Sequence, residues 1–157
     1  MSRFGAWGAS AHLVVGAALC CMIIIAVFPY RLEYAAHVIA GIGLAGIVVG
    51  WTTGGDRDRN GMSIDWRVAL SVVGGVAVAG VASDLTVTGP LDVLDVTNTV
   101  MGGLMGLVIL QSGWEVLPTE RPGRVRLAVS GALIVGIGFA LRYPLQHLLK
   151  SVWWYGT

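Results

Sequence analysis

The chain is short of charge. Only 12% of its 157 residues are Asp, Glu, Lys or Arg, and the net charge is +1. A water-soluble domain carries about 25% charged residues, so this composition excludes an ordinary soluble globule. With so few bases there is no patch to neutralise phosphates, which excludes nucleic acid as a partner. Lysine occurs once, as Lys150, and cysteine twice, as the neighbours Cys20 and Cys21. Adjacent helical residues point about 100° apart, so this pair does not suit a disulfide. With no further thiol, a two-cysteine metal or redox site lacks partners. Both cysteines read as small buried or lipid-facing residues. Zinc-ligand spacing, a phosphate-binding loop and a Ser-His-Asp pattern are also missing, so no metal and no cofactor is expected.

Apolar residues, by contrast, make up 55% of the chain, and the mean hydropathy is +0.76. They fall into long runs separated by short polar gaps, the pattern of a polytopic helical membrane protein. The runs predict helices over about 11–28, 35–51, 67–83, 93–114 and 127–141. An eighteen-residue helix reaches roughly 27 Å, close to the hydrocarbon thickness of a bilayer. Met1-Ser2-Arg3 before an apolar run also resembles a secretion signal, but no small-x-small cleavage site follows, so a retained first helix is expected. Gly46 and Gly50, and later Gly102 and Gly106, are spaced to let helices approach closely. Beyond Pro144, the residues Leu145, Leu148, Leu149, Val152 and Trp153 recur at helical spacing. With Trp153, Trp154 and Tyr155 as interface anchors, 144–154 reads as an amphipathic helix lying at the membrane surface. The expected fold is therefore all-α: one integral membrane domain over 1–157, a five-transmembrane-helix bundle with a C-terminal interfacial helix.

Five spans sort the bases by side. One side receives Arg3, Arg57, Arg59, Arg67, Arg121, Arg124 and Arg126, and the other only Arg31, Arg142 and Lys150. The positive-inside rule then places the N-terminus in the cytoplasm and the C-terminus outside. The same count brings Arg31, Glu33, His37, Asp84, Asp92, Asp95, Asn98, Arg142 and His147 to the outer end. Ionisable groups in or near a span are costly and mark a functional site by default. Glu33, His37, Asp84, Asp95 and Asn98 are the candidate ligand-binding residues of an outer pocket. Asp95 and Asn98, three apart, are expected on one helix face. Asp92 and Asp95 also stand where carboxylates cap a helix N-terminus. For Asp92 capping and a site remain alternatives; for Asp95 and Asn98 a site or an interhelical hydrogen bond is the favoured reading.

His37 early in one helix, followed in a later one by Asp95-Val96-Thr97-Asn98-Thr99-Val100-Met101-Gly102 and Gly106, resembles the VanZ-like membrane proteins. Asp95, Gly102 and Gly106 match that pattern. Asn98 stands one place early, with Thr99 where the family has Asn, and Asp84 and Thr88-Gly89-Pro90 replace the Glu-x-x-Gln and Pro-Gly-Arg elements. The resemblance touches about a third of the chain. It implies a bacterial envelope protein associated with resistance to lipid-anchored or glycopeptide antibiotics.

Other patterns carry less. Asp56-Arg57-Asp58-Arg59-Asn60-Gly61 begins like a calcium loop, but position twelve is Arg67 instead of a bidentate Glu, so a solvated turn is expected. His37 and His147 near one interface would suit a two-histidine haem, though structural hydrogen bonding is the commoner role of such residues. His37 as a base oriented by Asp95 could serve a hydrolase, without a motif to support it. Two functions follow. In the first, a VanZ-like protein of the bacterial plasma membrane holds a lipid-linked cell-wall component in its outer pocket. In the second, a non-catalytic accessory subunit docks through glycine-rich helix faces onto other membrane subunits. Membrane lipids are partners in both.

Overall fold

The computed structural model describes residues 5–28, 31–52, 66–88, 91–112 and 121–142. They form α1 (Gly5–Val27), α2 (Leu32–Thr52), α3 (Trp66–Ser83), α4 (Val93–Ser112) and α5 (Arg121–Ala140). The five helices are each long and apolar enough to cross a membrane. The expected interfacial helix 144–154 with Trp153, Trp154 and Tyr155, the calcium-like residues 56–61, and His147 lie outside the described residues.

α3 does not stop at Ser83. It runs on as a π-helical turn over Asp84–Thr88, which places Asp84 on the end of a helix instead of in a gap. α4 begins where its carboxylate says it should. Asp92 Oδ1 accepts the Leu94 N–H at 2.8 Å, and its carbonyl accepts the Val96 N–H at 3.1 Å, the bonds of an N-cap. α5 starts at Arg121, six residues before the expected Leu127. Pro122 falls in its first turn, where a backbone N–H has no helical partner to lose. Its arginines are therefore helical residues of a full-length span, not loop residues beside a short one.

α2 is the hub. It packs against each of the other four helices, and its buried residues occupy every side of it. α5 and α4 lie on it most extensively; α1 touches α2, α4 and α5, and α3 leans on α4 and α2. Around α2 the order is thus α5, α1, α4, α3, with α3 and α5 in almost no contact with one another. The ring is open between them.

Small residues set the spacing. A Cβ on Gly41 would strike Thr99 O of α4, and one on Gly102 would strike Val38 O of α2. Gly106 faces Ala45 Cβ at 2.7 Å and Ile42 Cα at 3.1 Å. On the other side, Ala36, Gly43 and Gly50 recur every seven residues and meet Gly138, Gly131 and Arg124 of the antiparallel α5; a Cβ on Gly50 would stand 2.8 Å from Arg124 O. A seven-residue repeat keeps two helices in register along a left-handed seam. Gly46 serves a different neighbour, since its Cβ would strike Leu13 of α1. Gly46 also faces Gly131 Cα of α5 at 3.4 Å, so the Gly46/Gly50 pair serves α1 as well as α5. Of the α3 glycines, Gly74 faces open space and Gly75 and Gly80 make only ordinary contacts. Between lipid tails and apolar side chains there is little hydrophobic gain, so close backbone packing of this kind has to hold such helices together.

The outward faces remain apolar. α1 buries Ala9, Ser10, Leu13 and Ala17, a single stripe, and exposes Val14, Val15, Leu19, Met22, Ile23 and Val27. Cys20 and Cys21 are half-buried and unbridged.

Candidate functional site

The starts of α2 and α4 and the ends of α3 and α5 share one end of the bundle. Four ionisable residues converge there beneath the surface: His37 in the second turn of α2, Asp95 in the first turn of α4, Asp84 at the end of α3, and Arg142 two residues past α5. Asp84 is 1% exposed, His37 7% and Asp95 8%, so charge here has to be compensated within the protein.

Arg142 supplies the compensation. Its Nη2 donates to Asp95 Oδ2 at 2.8 Å, and its Nη1 is 3.8 Å from Asp84 Oδ1. Asp84 Oδ2 accepts the Asp92 N–H at 3.1 Å, which ties the end of α3 to the cap of α4. Asp95 Oδ2 is also 3.0 Å from His37 Nε2, an ion-pair distance without the alignment of a straight hydrogen bond. The other ring nitrogen, Nδ1, is 3.0 Å from Thr99 Oγ1. Thr99 Oγ1 in turn donates to the Asp95 carbonyl at 2.8 Å. A hydroxyl has one hydrogen. While that hydrogen lies on the Asp95 carbonyl, His37 Nδ1 must be the donor to Thr99.

A cavity of about 110 Å³ opens beside this network, lined by α2, α3, α4 and α5. Ala40, Leu44, Ala79, Gly80, Val135, Gly138 and Phe139 form its apolar wall, and His37, Ser83, Thr99 and Arg142 its polar end. Among the described residues α3 and α5 hardly touch, and these residues leave the cavity open sideways between them. Asp84 and Asp95 are not on the wall; they stand behind His37 and Arg142.

Three of the five candidate ligand residues, His37, Asp84 and Asp95, are thus brought together. Glu33 is not on the cavity wall and pairs with Arg31 at 3.3 Å, and the Arg31 guanidinium sits 5.6 Å above the Tyr34 ring. Asn98 is half-buried and also off the wall. The residue that joins Asp95 on its face is Thr99, one full turn on, not Asn98, because contact of Gly102 and Gly106 with α2 fixes the rotation of α4. Asp92 resolves as a cap. Thr99 and Arg142 belong to the site although sequence reasoning did not select them. The available signal was the i, i+4 spacing of Asp95 and Thr99 and an arginine closing an apolar run.

Asp95, His37 and Thr99 stand in the order of a catalytic triad. Thr99 Oγ1 is within hydrogen-bond distance of both the Asp95 carbonyl and His37 Nδ1, and Arg142 pairs with Asp95. Among the described residues no three of His, Cys, Asp and Glu converge in a metal-binding arrangement. The arrangement can bind, orient and hold a proton.

Fold and site together define an all-helical protein with five helices of membrane-spanning length and a buried ionic network at one end. Compared with family models, curated proteins and solved structures, the chain matches none.

Proposed function

We propose that this is a multi-pass protein of the bacterial plasma membrane that binds an amphiphile, a lipid-linked envelope component, in the cavity between α3 and α5. The single observation behind this reading is the pairing of a sideways opening with a polar end. A chain entering from the bilayer lies against Ala79, Val135 and Phe139, while its head reaches Ser83 and Arg142. A cavity of about 110 Å³ takes the head-proximal part only, and the remaining chain stays in lipid. The count of arginines by side orients the network toward the outer leaflet, with the N-terminus cytoplasmic and the C-terminus outside.

The proposal includes the VanZ-like reading of the envelope function. Of the residues that carry it, His37 and Asp95 lie 3.0 Å apart, and Gly102 and Gly106 seat α4 on α2. The accessory-subunit reading rested on glycine faces free to dock. Gly46, Gly50, Gly102 and Gly106 face neighbours within the chain, while Gly74 and Gly136 face open space and stay open to docking.

Purification of the natively expressed protein in mild detergent, with mass spectrometry of bound lipids and proteins, tests the reading. A substoichiometric or stoichiometric lipid with an intact head is the expected companion. A set of larger membrane subunits and no lipid would overturn it.

A further inference from the structure

Resting on that lipid-binding reading, we propose that the head bound at this site carries a single negative charge of the phosphodiester kind and is taken up together with one proton, held by His37.

The wall of the cavity decides the sign. The polar residues that line it are Arg142, Ser83, His37 and Thr99, while both carboxylates stand behind them. Guanidinium and serine offer N–H and O–H donors, which suit an anionic acceptor and repel an ammonium head. The set as a whole has little positive charge to spare, however. With His37 neutral, Asp84, Asp95 and Arg142 sum to one negative charge, and an anion entering beside them meets net repulsion. With His37 protonated the sum is zero. The anion and the proton therefore favour one another.

The network has room for both states of the ring. In the protonated state Nδ1 donates to Thr99 Oγ1, whose own hydrogen lies on the Asp95 carbonyl at 2.8 Å, and Nε2 faces Asp95 Oδ2 at 3.0 Å. In the neutral state the Nε2 hydrogen stays toward Asp95, and the Thr99 hydroxyl turns its hydrogen to Nδ1, 3.0 Å away. Only the hydroxyl rotates; no heavy atom has to move. Groups facing His37 are Asp95 from α4, Asp84 from the end of α3 and Arg142 past α5. α1, the remaining neighbour of α2, carries the half-buried thiols Cys20 and Cys21, with His12 toward its opposite end.

The test uses the full chain in neutral nanodiscs and short-chain phosphatidylglycerol, whose phosphodiester keeps one charge from about pH 5 to about pH 9. Phosphatidylcholine of the same chains and dimethyl phosphate serve as the zwitterionic and chain-free probes. Phosphatidylglycerol affinity is expected to be full at low pH and to fall about tenfold per pH unit once His37 releases its proton. The His37→Gln protein loses that slope, and phosphatidylcholine shows none. If His37→Gln does not fold, calorimetry of the wild type in buffers of different ionisation enthalpy decides alone, with close to one proton taken up per lipid expected. A flat phosphatidylglycerol profile, an unchanged slope in His37→Gln or an uptake near zero overturns the proton linkage. Absence of lipid binding at every pH sinks the lipid-binding function itself. Dimethyl phosphate binding as tightly as the lipid would mean a soluble anion, which overturns the amphiphile reading and leaves the linkage standing.

Discussion

Arg142 Nη2 and Asp95 Oδ2 meet at 2.8 Å across 47 positions of sequence, and Asp84 approaches the same guanidinium from the end of α3. One arginine thereby joins the ends of three helices that make no continuous layer of their own. Its burial makes the pairing obligatory, because either carboxylate alone in this setting would be an uncompensated charge.

Arg142→Gln is expected to cost about 3–5 kcal/mol of stability, the penalty of breaking a buried ion pair from one side. Combined with Asp95→Asn, the loss is expected to be smaller than the sum of the single losses by about 0.5–3 kcal/mol. Reversible unfolding in detergent provides the four values of the cycle. Strict additivity would contradict the assigned contact.

Thr99→Ser keeps the hydroxyl and is expected to be near neutral. Thr99→Val leaves His37 Nδ1 without its 3.0 Å partner, a loss of about 1–3 kcal/mol for a buried unsatisfied group. Equal stability of the two variants in the same unfolding assay would mean that the hydroxyl carries no weight.

The glycines divide into two sets. Gly41→Ala and Gly102→Ala drive a methyl into the facing backbone and are expected to cost about 1–3 kcal/mol each. Gly74→Ala and Gly136→Ala meet open space, and each is expected to gain about 0.5–1 kcal/mol through helix propensity. Melting temperatures of the four variants, ranked, check the helix contacts independently of any ligand.

Asp92 is exposed and caps α4. Asp92→Ala is expected to cost about 1 kcal/mol and Asp92→Ser almost nothing, with lipid retention unchanged in both. Lost retention in Asp92→Ser would place this residue in the site after all.

Much of this was legible from the residues. The apolar runs, three of which have expected limits within three residues of the helices while the starts of α1 and α5 lie six residues earlier than expected, follow from hydropathy alone. Alternation of five spans was enough to bring His37, Asp84, Asp95 and Arg142 to one end. The start of α5 was hidden because Pro122 and three arginines resemble a loop, although a first turn tolerates the one and a helix end the others. Asn98 was expected beside Asp95 because an i+3 partner is near on an isolated helix, as Thr99 at i+4 is too. Their difference is fixed only by the rotation that Gly41 and Gly102 impose. The pairing of Arg142 with Asp95 depends on tertiary contact and has no local signature.

The most direct test of a lipid-binding cavity is a comparison of lipid retention by the wild type and Ala79→Phe. Ala79 lies on the apolar wall, so a phenyl ring there fills the space the bound chain would occupy. The wild type is expected to retain its lipid through purification, and Ala79→Phe to lose at least most of it at unchanged melting temperature. Equal retention by both proteins would contradict the account.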